Sequence, residues 1–173
     1  LMMATLANLA SITSNIAYNL ALVLVAAMAG MAIFGVVYNL VRLSSGRFVL
    51  AVAFGVVAVL LLIGVSNLEG ILELVRVKGL GSAGFWHWVS VKGLDPLAPE
   101  GQGWFPRENW WWWRASRVID TVVGGRSLDY TITEFPYFSF LLGDLHPHLM
   151  SLPFTLLVLS ASLNFFVHRG ELG

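Results

Sequence analysis

The chain has 173 residues, of which 57% are hydrophobic and 12% charged, with a formal net charge of zero. A soluble domain carries about a quarter charged residues, so this composition excludes an ordinary soluble globule, and a mean hydropathy of +0.77 points to a membrane protein. A zero net charge leaves no nucleic-acid footprint. The absence of cysteine excludes a disulfide framework, a thiolate nucleophile and a thiolate metal site.

The chain opens LMMATLANLA, without a basic n-region or a cleavage pattern, so this is not a signal peptide. It starts at Leu1, which predicts the interior of a longer protein. Residues 1–15 read as the end of a truncated helix and a turn, with Ser14 or Asn15 as the expected cap of the next helix. Residues 16–41 form an uncharged run of about 26 residues, where a bilayer core needs roughly 20. Ala27, Gly30, Ala32 and Gly35 thin one side of it for close helix packing. Residues 42–47 are a short link with Arg42 and Arg47, and residues 48–68 are a second uncharged span. If all three long apolar runs cross, Arg42, Arg47 and Arg169 share one side. The positive-inside tendency makes that side cytoplasmic.

The loop 69–148 is then extracytoplasmic. It is rich in tryptophan, including Trp86, Trp88, Trp104 and Trp110 to Trp113, unlike a disordered linker. Its first part, KGLGSAGFWHWVSVKGLDPLAPEGQGWFP, has enough Gly and Pro to be mostly irregular. Near 109–123 the spacing predicts an amphipathic helix capped by Asn109 and stopped at Gly124 and Gly125. Trp111, Ala115, Val118, Ile119 and Val122 share one side, and Arg114, Arg117 and Asp120 the other. This suits a helix lying in the membrane interface. SLDYTITEFP alternates and ends at a proline, so it reads as extended chain, and YFSFLLG as a helix too short to cross. Residues 149–167 are the third span, in a helix starting near His146 or Pro147, and 168–173 a tail. The fold class is therefore all-α: a polytopic transmembrane segment of the cell membrane, with a long external loop carrying an interfacial helix.

The chemistry gathers in ITEFPYFSFLLGDLHPHLMSLPF. Asp144 precedes a helix N-terminus, whose N–H groups and dipole favour a carboxylate. Pro153 leaves the carbonyl of Leu149 without its helical donor. Three functional readings follow. Asp144 or Glu134 is the catalytic acid or base of a glycosyl transfer, with His146, His148, Arg114, Arg117 and Trp113 holding sugar and phosphate. Asp144, His146 and His148 are a candidate divalent-metal set, although Pro147 disturbs the extended chain that would aim them together. Or the same groups line a substrate or proton path. Against these stands a plainer reading, in which Asp144 caps the helix, the histidines are interfacial anchors and the tryptophans form an aromatic belt. No phosphate loop, nucleophile elbow or zinc-protease motif is present.

NWWWWRASRVI followed by ITEFPYFSFLLGDLHPHLMSLPF resembles the YYY-type membrane proteins, a group of large multi-spanning bacterial and archaeal proteins. SNIAYNLALVLVAAMAGMAIFGVVYNL is similar to one of their spans, so the likeness runs from about Ser14 onward. That group is distantly similar to the type C glycosyltransferases. The resemblance implies membrane lipids and a polyprenyl-phosphate-linked sugar as partners, used at the outer face. LHPHL, Leu145 to Leu149, is similar to the His-Pro-Pro-Leu-like motif that starts a span in those enzymes, but has His148 at the second proline. The acid of their first external loop would lie upstream, so Asp144 and Glu134 are candidates in their own right. The alternative is a non-catalytic structural or accessory subunit among other membrane subunits.

Overall fold

A computed structural model describes residues 2–91, 94, 111–124, 126–129 and 131–168. The expected Asn109 cap, Trp104, Trp110 and Arg169 lie outside the described residues. The chain divides into two compact units, Leu1–Gly64 with Ser139–Gly173, and Val65–Phe138.

The first unit is built on three helices long and apolar enough to cross a membrane. α1 (Met2–Leu9) precedes α2 (Ser14–Ser45), whose N-cap is Thr13, not Ser14 or Asn15. At 32 residues, α2 outruns the 16–41 expectation, because Arg42 to Ser45 carry no helix breaker and the first stop is Gly46. Gly46 takes the left-handed φ of 68° that glycine tolerates, and its N–H donates to the Arg42 carbonyl. The link is thus Gly46 and Arg47 alone. α3 (Phe48–Val59) continues as a π-helical stretch, Leu60–Val65. That span ends at Val65, short of residue 68, because Ser66 turns to φ 53°.

α2 and α3 pack through small residues. Ala21, Ala29 and Gly30 on α2 and Ala51 and Gly55 on α3 are buried. Phe34 lies over Gly55, and Phe34 stacks on Tyr38 with ring centroids 5.9 Å apart. Lipid tails are as apolar as leucine, so close van der Waals contact carries this packing. α8 (Pro147–His168) also packs on α2. Only 11% of the most apolar window of the second and third spans is buried within the protein. The remaining apolar surface calls for lipid or further helices.

The second unit adds short helices to the loop, one of them within the stretch expected to be mostly irregular. α4 (Glu69–Val77) follows the span after three residues, and α5 (Ala83–Val89) is a single short helix inside the Gly- and Pro-rich stretch, capped by the Ser82 hydroxyl accepting from the Phe85 N–H at 3.1 Å. The interfacial helix expected near 109–123 is, among described residues, one short turn, α6 (Trp111–Ala115). The β-branched run after it goes extended. Thr133 and Thr131 N–H groups donate to the carbonyls of Ser116 and Ile119, at 2.9 and 3.1 Å. β1 (Val122–Val123) then pairs antiparallel with β2 (Arg126–Ser127) around Gly124 at φ 58°. Ala115, Phe135 and Phe138 form the core of this unit, with Trp112 and Tyr137 against it. The division between the units falls within α7 (Pro136–Leu142).

A methyl on Gly55 would meet the Phe34 ring at 2.7 Å, whereas one on Gly35 meets nothing within 4 Å. Gly55→Ala should therefore cost about 1–3 kcal/mol as overpacking. Gly35→Ala should be neutral or slightly stabilising. Thermal melting of both variants in detergent checks the contrast.

Candidate functional site

The candidate site residues divide between the units. Asp144, His146 and His148 belong to the first, and Glu134, Trp113, Arg114 and Arg117 to the second.

In the first unit the fold brings the three residues of the D-x-H-x-H motif together. α7 ends at Leu142, Gly143 follows with φ 67°, and the Asp144 N–H donates to the Ser139 carbonyl at 2.9 Å. Leu145 N–H donates to the Tyr18 hydroxyl of α2 at 3.2 Å, pinning the turn to a spanning helix. Pro147 opens α8, where its lack of an N–H costs nothing. Asp144 Oδ2 lies 2.9 Å from His146 Nδ1. That nitrogen is enclosed, and the oxygen lies off its N–H direction, so the contact is an ion pair when the ring is protonated more than a directed hydrogen bond. The two imidazoles sit 5.5 Å apart centroid to centroid, and His148 Nε2 is 3.2 Å from the Ser139 hydroxyl. Asp144 and His146 side chains are 46% and 38% exposed, so a ligand can reach them. Ser139 and Tyr18 were not visible as site residues in the sequence. Their roles depend on α7 folding back on α8 and α2.

In the second unit the arginines are not aligned on a water-facing side as the amphipathic reading expected, because the helix that would align them stops at Ala115. Arg117 is buried. Its guanidinium donates to the Ser116 carbonyl and hydroxyl at 3.0 and 2.6 Å, and stacks over Trp113 at 4.3 Å. Arg114 reaches across to α4, where its Nε donates to Glu73 Oε1 at 2.7 Å and its second nitrogen pairs with the same oxygen. Trp113 keeps an exposed face, and Glu134 is half-buried in the extended chain before α7 with Oε2 enclosed.

The larger electrostatic feature lies outside every motif in the sequence. Glu69 and Glu73, one turn apart on α4, are both buried. The Asn67 side chain accepts from the Glu69 N–H at 2.9 Å and donates to the Ala115 carbonyl at 2.8 Å, so one amide caps α4 and ties it to α6. Burial first, then the charge of Glu73 and a hydrogen bond with it, push Glu69 up to about 8, against a smaller downward pull from Arg114. The available signal was the LEGILELV spacing, which stacks both acids one turn apart on one face. Among the described residues no group of three or more His, Asp or Glu side chains is arranged to hold a metal ion.

Removing Arg114 strands a fully buried carboxylate. Arg114→Met should cost about 3–5 kcal/mol. The double variant Arg114→Met/Glu73→Gln should be more stable than Arg114→Met alone, a sign that detergent melting of the two variants can read.

No curated protein and no solved structure matches the chain. A family model described as "Uncharacterized membrane protein (DUF2298)" matches residues 1–172. That match spans nearly the whole length of a chain with three helices long and apolar enough to cross a membrane, and the chain belongs to this family of membrane proteins.

Proposed function

We propose that this chain is part of a cell-membrane transferase of the type C glycosyltransferase kind, which moves a sugar from a polyprenyl-phosphate donor at the outer face. The observation that carries the reading is the Asp144–His146 pair, 2.9 Å apart and partly exposed at the head of a membrane-crossing helix, with His148 beside it. An ionisable cluster at the edge of a span is costly and marks a functional site by default. The resemblance of LHPHL, Leu145 to Leu149, to the span-starting motif of those enzymes supplies the substrate class.

The chemistry suits these groups. The oxygen of an acceptor hydroxyl attacks the anomeric carbon, the bond from that carbon to the donor phosphate breaks, and polyprenyl phosphate leaves with the electron pair. Asp144 takes the hydroxyl proton. His146 and His148 hold the phosphate oxygens, as imidazoles do best when protonated. Glu134 is the second candidate acid, with Arg114, Arg117 and Trp113 on its unit, and the loop 69–148 is extracytoplasmic.

A positioned base contributes about 10²–10⁴-fold to such a step. Asp144→Asn should therefore lower transfer by roughly that factor while leaving expression and membrane insertion intact. The check is a radiolabelled transfer assay with the complete protein in membranes. Full activity in that variant removes Asp144 from the chemistry, and if Glu134→Gln is also fully active, an accessory role is what remains.

A further inference from the structure

α4 places Glu69, Glu73 and Arg76 along one side, and α6 contributes Arg114. Glu69 is 3% exposed and Glu73 0%, yet no N–H or hydroxyl group of the other described residues donates to either Glu69 oxygen or to Glu73 Oε2, so a hydrogen bond between the two acids needs a proton of their own. An ionised carboxylate only accepts, so two such groups facing each other have no donor between them unless one carries a proton. Arg114 closes on Glu73 Oε1 and balances one negative charge. A second naked carboxylate enclosed beside it would lose its hydration without a counter-charge, and groups in that position neutralise instead.

We propose that Glu69 and Glu73 form a buried proton-binding site. One proton is shared by the two carboxyls, with Arg114 balancing the remaining charge and holding α4 against α6. The site is independent of the transfer chemistry around Asp144 and stands whether or not that reading holds. The charged groups facing it among the described residues are Arg114 from α6 and Arg76 from α4, whose Nε is enclosed. Arg117, in the segment after α6, is turned onto Ser116 and the Trp113 ring. The pull of Arg114 on Glu69 is the smallest of the influences on it. Burial and the adjacent acid dominate and raise Glu69 from 4.5 to about 8.

The sign of the linkage follows. A carboxyl raised in the folded state contributes stability that is complete below pH 4.5 and is lost progressively as pH rises toward about 8, with no further loss above it. In that window the wild-type unfolding constant should rise by up to about tenfold per pH unit relative to a variant that cannot titrate. Glu69→Gln is that variant, since it keeps the shape and a donor while holding the neutral form.

The test uses the full chain in lipid nanodiscs. Infrared difference spectroscopy should show a protonated-carboxyl C=O band that disappears with a midpoint near pH 8 and is absent from E69Q. Dicyclohexylcarbodiimide adds across the O–H of a buried, protonated carboxyl. Peptide mapping should find Glu69 modified well below pH 8 and spared well above it. If E69Q folds poorly, the labelling of the wild-type chain still decides. An infrared difference identical in wild type and E69Q, or a Glu69 unmodified at low pH, would overturn the proposal.

Discussion

An ion pair between residues 41 apart in sequence, Glu73 and Arg114, sets the terms for the second unit. Glu73 has no exposed surface, so its charge is tolerable only because the guanidinium reaches it. That requirement fixes where α6 meets α4, and Asn67 repeats the link through the Ala115 carbonyl. With α6 held there, the chain beyond Ala115 runs extended beside Thr131 to Thr133. The aromatic core of Phe135 and Phe138 then closes over Ala115. The first unit answers the same constraint differently. It keeps its carboxylate at the exposed end of a helix, beside an imidazole, and leaves the spans themselves to small-residue packing.

The arrangement separates two kinds of acid. Asp144 is reachable and paired with a titratable ring, which suits binding and proton transfer with a ligand. Glu69 and Glu73 are enclosed, and their neighbourhood favours holding a proton over exchanging a substrate. One chain thus carries a candidate chemical site and a candidate electrostatic lock, each intelligible from its own surroundings.

The spans were legible in the sequence because an uncharged run of that length has few other homes, and their ends differed only where local breakers decided. Ser66 ended the second span early, and the absence of a breaker before Gly46 let α2 run on. The meeting of Asp144, His146 and His148 was legible because a turn and a proline-led helix start lie within five residues. The loop was not. Its helices are short, and the partners that stabilise them are distant, so helical spacing in WWWWRASRVIDTVV was outweighed by β-branched residues that found an extended neighbour. The buried role of Glu69 and Glu73 could be suspected from their one-turn spacing, but not the Arg114 that makes it possible.

The central claim is that the Asp144 cluster meets a phosphate-bearing lipid at the membrane surface. The most direct measurement is a structure of the complete protein in lipid with a non-hydrolysable polyprenyl-phosphate sugar analogue. The account predicts the analogue's phosphate within hydrogen-bond reach of His146 or His148 and its anomeric carbon facing Asp144. An analogue bound elsewhere, or other segments of the protein sealing Asp144 and His146 away from lipid and water, would contradict it.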